Sequence, residues 1–320
     1  MIRAIVTVIV AAACLLAGHA PAQGDRLIRV IVAFPPGGPV DFVARTIAEP
    51  LGKELGARVV VDNKAGGNGT ISAETVARSA ADGATIWLSS VGAIAINPVL
   101  YDKLPYDVQR DFAPVSLVVN NDELFVVNAN DPANTVPEFI ANAKKRSAPT
   151  PIASTGIGSI PHLAMEQLAD TSKANLLHVP YKGAAPAVTD VMGGQVAGFF
   201  GDIPGLIGHV KGGKLKALGI AAPKRHPALP DVPTFMEQGV GGVDSNNWYA
   251  LFVPAKTPPD VVAALNRAIR NVVATPAVSE KLAASGAVPM ASTPQELTLL
   301  LQQDTVKWGK LIRDKKIIAE

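Results

Sequence analysis

The segment from residue 27 to residue 55 constrains the fold most, because a strand-like run, a stiff turn and a helix-like pattern follow one another within it. Residues 27–34 form an apolar run of strand length, which is typical of a strand buried on both faces of a sheet. Residues 35–41, Pro-Pro-Gly-Gly-Pro-Val-Asp, predict a tight turn. Apolar side chains then recur at every fourth position from Val43 to Leu55, which predicts a helix directly after the turn.

The turn has the composition of an anion-binding loop. Pro35 and Pro36 fix the backbone and donate no N–H, while Gly37 and Gly38 let the backbone approach a bound group closely. The start of a helix adds unpaired N–H groups and a positive dipole end, which favour a carboxylate or a phosphate. A tight strand-to-helix turn that binds no ligand has the same composition, so these residues alone do not distinguish it from an anion-binding loop.

Residues 1–22 have the pattern of a secretory signal peptide. They contain the basic Arg3, an apolar stretch over residues 5–17, and a small-residue cleavage site that ends at Ala22. The apolar stretch is shorter than the ~20 residues that span a bilayer, which disfavours a membrane anchor. The single cysteine, Cys14, lies in this segment, so the mature chain would have no disulfide or thiolate, and a lipid anchor at Cys14 is the alternative. We expect a periplasmic protein that is cleaved near Ala22.

Composition limits the domain count and the kinds of partner. At 320 residues the chain is longer than a domain with a single hydrophobic core usually is, and its 48% hydrophobic residues are enough for two cores. Aromatic residues make up only 5%, which argues against a platform for stacked bases or sugars. The formal net charge of +2 argues against nucleic acid or an anionic membrane surface as a partner.

The first third of the chain alternates strand, helix, strand, helix and strand. Further strands are predicted at residues 58–61 and 85–88, with a helix at residues 70–80, and Pro50 predicts a kink or an early end of the first helix. This alternation implies a parallel sheet, in which ligands bind at the carboxyl ends of the strands. Ser89 and Ser90 follow the third strand, where their hydroxyl groups could donate to an anion or simply face water.

The pattern changes after residue 111, where apolar runs at residues 115–119 and 124–127 suggest a crossing between two lobes. A short strand at residues 151–153 leads into a second glycine-rich turn, residues 154–162, which could face the first turn with hydroxyl and amide donors. Residues 248–253 are predicted to be a strand that returns to the first lobe. We therefore assign residues 23–123 and 226–320 to the first lobe and residues 124–225 to the second.

Sequence signals for catalysis are weak. The chain has no G-x-S-x-G elbow and no H-E-x-x-H motif, and its histidines after the signal lie far apart in sequence. Residues 67–69, Gly-Asn-Gly, lack the third glycine of a dinucleotide fingerprint. Lys182 fits a Schiff-base role less well than that of an anion partner or a solvated charge. We predict a binding cleft without catalytic residues, metal ligands or a cofactor.

Eight short segments, in order, resemble the Bug-type periplasmic solute-binding receptors of tripartite tricarboxylate transporters. They are residues 34–41, 66–69, 95–98, 104–107, 111–115, 178–183, 193–196 and 229–234. The resemblance implies an α/β fold of two lobes, a type II-like Venus flytrap, in which each lobe is a mostly parallel sheet flanked by helices. It also implies a monomer that hands a small carboxylate to the subunits of a membrane permease. A sensor that docks on a signalling membrane protein, and an exported hydrolase, are the alternatives.

In such receptors a carboxylate is held between the first strand-to-helix loop and a facing loop of the second lobe. The matching ligand-binding positions are Pro36, Gly37, Gly38, Pro39, Val40 and Asp41 in the first loop, and Ser154, Thr155, Gly156 and Ser159 in the second. By analogy, Ser89, Ser90, Tyr181, Lys182, Gly183 and Asp202 line the same mouth.

Two positions depart from the family pattern. The family usually has glycine and a hydroxyl residue where this chain has Pro39 and Val40, so one N–H donor and one hydroxyl are replaced. The acidic residue that is frequent after the strand at residues 196–200 would fall at Gly201, and this chain has Asp202 one position later. We expect the site to favour a carboxylate with an apolar or aromatic body over one such as citrate.

Overall fold

The computed structural model describes residues 26–319, so the predicted signal peptide lies outside the described residues. The strands, in chain order, are β1 (Leu27–Val32), β2 (Arg58–Asn63), β3 (Thr85–Ser90), β4 (Phe112–Asn120), β5 (Glu123–Asn128), β6 (Thr150–Ser154), β7 (Leu176–Pro180), β8 (Gly198–Asp202), β9 (Leu215–Ile220), β10 (Tyr249–Pro254) and β11 (Val288–Pro289). No helix in this range has the length and apolar content needed to cross a bilayer.

The helices, in chain order, are α1 (Pro39–Leu55), α2 (Thr70–Ala77), α3 (Asn97–Leu100), α4 (Val108–Asp111), α5 (Val136–Lys145), α6 (Ile160–Ser172), α7 (Ala184–Met192), α8 (Ile203–Lys211), α9 (Pro259–Ala274), α10 (Pro276–Ser285) and α11 (Pro294–Lys315). A 3-10 turn at Gly67–Gly69 precedes α2, and a π-helical turn at Gly92–Ile96 precedes α3.

The strands form two sheets, each at the centre of one lobe. The first has the order β11-β4-β10-β3-β1-β2, and the second has the order β7-β6-β8-β5-β9. In each sheet three strands are parallel, as the alternating pattern predicts, and the strands next to them run antiparallel. Each sheet has an apolar core on both faces, as in Ile28 and Ile31 of β1, which point into different cores. The two-lobed α/β fold class is confirmed.

The chain crosses between the lobes twice, from β4 to β5 and from β9 to β10. The two crossing segments are bonded to each other: the Asn247 N–H donates to the Asn121 carbonyl at 2.8 Å, and the Asn121 side-chain amide donates to the Asn247 carbonyl at 2.9 Å. The sequence places residues 226–243 in the first lobe, whereas Leu229, Phe235 and Val243 pack in the cores of the second. This proline-rich segment lacks a helical or strand period, so the sequence does not predict which lobe it packs against. The exact lobe boundaries stay a prediction.

Helix α1 begins where the turn predicts and runs further than Pro50 suggests. Pro39 occupies the first helical turn, where its missing N–H costs nothing, and Asp41 follows it there. The helix continues through Pro50 to Leu55 and ends at Gly56, whose φ of 58° caps it in the left-handed region. The early end at Pro50 is therefore wrong, because burial of Ile47 and Leu51 against the sheet holds the helix together.

Candidate functional site

A cavity lies between the two lobes, at the carboxyl ends of the parallel strands. The first lobe lines it with the turn after β1, and the second lobe lines it with the starts of α7 and α8. The lining residues are Phe34, Pro35, Pro36, Gly38, Pro39, Val40, Thr155, Lys182, Gly183, Ala184, Ala185, Pro186, Phe199, Asp202, Gly205, Leu206, Asn247 and Tyr249. Its volume is about 60 Å³, enough for a few water molecules, so a larger ligand has to extend into the space that adjoins it.

The N-termini of three helices converge on this cavity. It is lined by residues 38–40 at the start of α1, by residues 183–186 at the start of α7, and by Asp202 and Gly205 at the start of α8. The first N–H groups of each helix have no partner within that helix, and the aligned peptide dipoles place positive charge there. The backbone therefore gives the cavity a positive potential that suits an anion.

A wider cavity of about 650 Å³ adjoins the first and is lined by residues 65–69 of the first lobe and by residues 155–157 and 180–183 of the second. The two cavities share Thr155, Lys182 and Gly183. Among the described residues, Lys182 supplies the only cationic side chain that lines either of them. It can therefore reach an anion in both.

Asp41 shapes the first loop and does not line either cavity. Its carboxylate accepts hydrogen bonds from the Gly37 N–H at 2.9 Å, from Arg45 Nε at 2.9 Å and from the Asn63 amide at 3.0 Å. The Asn63 amide also donates to the Phe34 carbonyl at 3.0 Å, which fastens both ends of the turn. Burial opposes ionisation of Asp41, but the hydrogen bonds from Arg45, Gly37 and Asn63 outweigh it and lower the pKa of the carboxyl. The Gly37 N–H is thus committed to the loop itself.

The second loop is held in shape by its own hydroxyl groups and by two histidines. The Ser154 hydroxyl lies 2.6 Å from His178 Nε2, and the Ser159 hydroxyl donates to the Gly156 carbonyl at 2.7 Å. The Gly158 N–H donates to His162 Nδ1 at 3.1 Å, and the rings of His162 and His178 stack with 3.7 Å between their centroids. Ser154 and Ser159 are buried, so they support the loop that presents its neighbours to the cleft.

The stacked histidine pair makes the second loop sensitive to acid. Burial, together with the adjacent His162, lowers the pKa of His178 to about 3. The unfolded chain binds this proton near pH 6.5, so the fold keeps its full stability above that value and loses stability as the pH falls from about 6.5 towards 3. We expect the unfolding temperature to fall between about pH 7 and about pH 4, and to fall less in a His178→Gln variant.

The same measurement on His209→Gln provides the control, because His209 lies in α8 away from the stack. This variant should follow the wild-type pH profile. Identical profiles for His178→Gln and the wild type would show that the stacked pair does not set the acid limit.

The structure brings eight of the predicted site residues to the first cavity: Pro36, Gly38, Pro39, Val40, Thr155, Lys182, Gly183 and Asp202. Gly156 and Tyr181 line the adjoining cavity instead, and the Tyr181 hydroxyl donates to Asp190 at 2.6 Å. Ser89 and Ser90 are buried in β3 and line neither cavity, since the strand continues through them where the sequence predicts its end.

The sequence does not predict an acidic cluster beside the cavity, which Asp202 lines. Glu123 of β5 lies opposite Asp202 of β8 in the sheet, and both carboxyl groups are withdrawn from water. The Tyr249 hydroxyl donates to Asp202 Oδ2, and the Asn247 amide donates to the same oxygen at 3.3 Å. The signal that could reveal the cluster is Glu123 itself, an acid that begins an otherwise apolar strand.

The cluster is protonated more readily than ordinary carboxyl groups. Burial, and then the charge of Asp202, raise the pKa of Glu123 well above its usual value. Burial also raises the pKa of Asp202, against the hydrogen bonds that it accepts. Burial and the charge of Asp202 raise the pKa of the Tyr249 hydroxyl, so Tyr249 stays a hydrogen-bond donor.

Comparisons with known proteins identify the family and agree with the two-lobed fold. The model of the tripartite tricarboxylate transporter family receptor matches residues 43–317. Protein BugT of Bordetella pertussis is 36% identical over 300 residues, which is 92% of each chain. A solved R. palustris protein with adipate superimposes with a TM-score of 0.89 at 30% identity, over 92% of this chain and 98% of that chain.

A second solved structure, MatC from Rhodopseudomonas palustris with bound malate, has a TM-score of 0.84 at 31% identity, over 90% of this chain and 99% of that chain. The family match and the BugT alignment each cover far more than half of the sequence. The chain therefore belongs to the receptor family of tripartite tricarboxylate transporters, whose members are periplasmic solute-binding proteins.

Proposed function

We propose that this protein captures a small carboxylate between its two lobes in the periplasm, as a monomer, and delivers it to the membrane permease of a tripartite transporter. The observation that carries the proposal is the convergence of three helix N-termini and Lys182 on one cavity between the lobes. The solved relatives with adipate and with malate support a carboxylate as the ligand class.

The walls of the cavity favour an apolar ligand body. Phe34, Pro36 and Val40 line it from the first lobe, and Phe199 and Leu206 line it from the second. A hydrocarbon chain or ring gains free energy by leaving water for such walls, whereas each hydroxyl or carboxylate without a partner there costs free energy. We therefore expect an aliphatic or aromatic acid to bind more tightly than citrate.

Calorimetric titration of the purified protein tests this preference. Aliphatic and aromatic monocarboxylates should bind, and citrate should bind at least about tenfold more weakly, because its extra carboxylates lose water without gaining partners. Tight binding of citrate with no binding of the monocarboxylates would contradict the proposed ligand class.

A Lys182→Gln variant should weaken carboxylate binding by about fivefold to tenfold, since an ammonium group forms a stronger hydrogen bond to a carboxylate than an amide does. The matched control is Lys211→Gln, an exposed lysine at the end of α8 that lines neither cavity. Equal affinities for the two variants would exclude Lys182 as an anion partner.

Delivery to a permease is testable in cells. Deletion of the gene should abolish uptake of the acid that the purified protein binds, and the intact gene should restore it. Normal uptake in the deletion strain, with loss of a transcriptional response to the same acid, would instead indicate a sensor.

A further inference from the structure

The acidic cluster beside the cavity has more hydrogen-bond acceptors than donors. No N–H or hydroxyl group of the described residues donates to either carboxylate oxygen of Glu123, to Asp202 Oδ1 or to Asn247 Oδ1, so Glu123 makes its only side-chain hydrogen bond with the carboxyl group of Asp202. Glu123 is completely buried, and Asn247 is nearly so. Buried polar atoms are almost always paired in folded proteins, and one proton shared between Glu123 and Asp202 can pair only two of these four oxygens, so the group still lacks a donor.

No positively charged side chain in the described part of the chain compensates the cluster. The titratable groups packed against Glu123 are Asp202, opposite it in the sheet, and Asp122, the preceding residue of the crossing segment. Asp202 faces Glu123 and Tyr249, while Asp122 faces Asp244. Burial of Asp122 and, to a lesser extent, the charge of Asp244 raise the pKa of Asp122 to about 6. Two adjacent buried carboxyl groups without a cation cannot both ionise, so the pair retains a proton while the cleft is empty.

The groups that line the cavity thus differ in chemistry. The starts of α1 and α7 and Lys182 offer donors and positive potential, while Asp202 and Asn247 line the same cavity with oxygens that lack a donor. A second carboxylate beside Asp202 would meet the remaining negative charge of the pair, whose one proton is already shared between Glu123 and Asp202, whereas an ammonium or hydroxyl group would supply the missing hydrogen bond.

We propose that Asp202 is the residue that determines which carboxylate is bound, by accepting a hydrogen bond from a hydroxyl or ammonium group that the ligand carries in addition to its carboxylate. Glu123 is a positioning residue, which holds Asp202 in place across the β5–β8 pair and shares its proton. This inference rests on the proposed function, because it assumes that the carboxylate end of the ligand binds at the helix N-termini.

Calorimetry with a matched panel of acids tests the inference. The panel consists of propanoate, butanoate and hexanoate, each compared with its terminal hydroxy and amino derivatives and with the diacid of equal length. At the best chain length, the hydroxy or amino derivative should bind about tenfold more tightly than the plain acid, and the diacid should bind more weakly than either. Equal or tighter binding of the plain acid or the diacid would overturn the inference and leave the proposed function intact. Failure of every acid to bind would overturn both.

Two variants assign the preference to the cluster. Asp202→Asn should lose the preference, so that the derivative and the plain acid bind this variant with equal affinity, and a retained preference would overturn the inference. Asp122→Asn is the matched control, because Asp122 is acidic and adjacent but does not line the cavity, and it should keep the preference. If Asp202→Asn does not fold, the affinities of the wild type for the panel and the proton release of the Glu123→Gln variant still test the inference.

Proton release distinguishes the two donor groups and tests the role of Glu123. An ammonium group stabilises the ionised pair, so binding of the amino derivative should release a proton, whereas the hydroxy derivative should release none. Titration in buffers of different ionisation enthalpy measures this release. Glu123→Gln should abolish the release while the derivative still binds, and an unchanged release would show that Glu123 does not share the proton.

Discussion

A Gly205→Val substitution is expected to weaken ligand binding by about tenfold or more while leaving the unfolding temperature close to that of the wild type. A side chain at Gly205 would place its Cβ only 3.0 Å from Pro39 Cγ on the opposite lobe, so the added methyl groups would keep the lobes apart. The residue lies in helix α8, where valine is tolerated better than glycine. The effect should therefore fall on closure of the cleft and not on folding.

Gly208→Val is the matched control, because Gly208 lies in the same helix and no atom lies within 4 Å of the Cβ that it would gain. This variant should bind the ligand as the wild type does. Equal affinity of the Gly205→Val variant, the control and the wild type would show that Pro39 and Gly205 do not meet when the ligand is bound.

Asp41→Ala should destabilise the fold by about 2 kcal/mol or more and should abolish measurable carboxylate binding. The substitution leaves the Gly37 N–H without its acceptor, removes one of the two acceptors of the Asn63 amide and removes the carboxylate partner of Arg45, so the first loop loses its shape. Chemical denaturation measures the first effect and calorimetry measures the second.

The pH dependence identifies the carboxylate as the cause. The folded-state pKa of Asp41 is lowered, so its contribution to stability is present above the unfolded value of about 3.8 and is lost as the pH falls through the lower folded value. The stability difference between wild type and Asp41→Ala should therefore shrink below about pH 4. Asp62→Ala, which removes an acid of β2 that has only a 3.5 Å ion pair with Lys64, should cost much less. Equal losses for Asp41→Ala and Asp62→Ala would contradict the role of Asp41.

Local sequence patterns predict the elements of this fold better than their arrangement. Thr293 and Glu296 form a capping box at the start of α11, and Thr135 caps α5. Such caps can be predicted from local sequence because they depend only on residues within one helical turn. The antiparallel direction of β5 and β10 cannot be predicted in this way, because it depends on where the chain crosses between the lobes. Residues 226–243 show the same limit, because contacts distant in sequence decide which lobe they join.

The loops of the site are predictable from sequence, but the roles of individual side chains are not. Pro36, Gly38 and Thr155 lie at the cavity as the motifs indicate. The same motif predicts that Asp41 binds the ligand, yet its carboxylate points into the loop. This orientation depends on a hydrogen bond from Asn63, which is distant in sequence. Likewise, Glu123 becomes part of the site only through the register of β5 against β8, which no local pattern specifies.

A distance measurement between the two lobes tests most directly whether the lobes close on the ligand. Spin labels on cysteines introduced at Ala80 in the first lobe and Lys211 in the second occupy exposed positions away from the cavities. Addition of the acid that calorimetry shows to bind most tightly should replace a broad distance distribution by a single narrow one that matches the distance in the structure described above. An unchanged distribution at a saturating concentration of that acid would contradict capture by closure of the lobes.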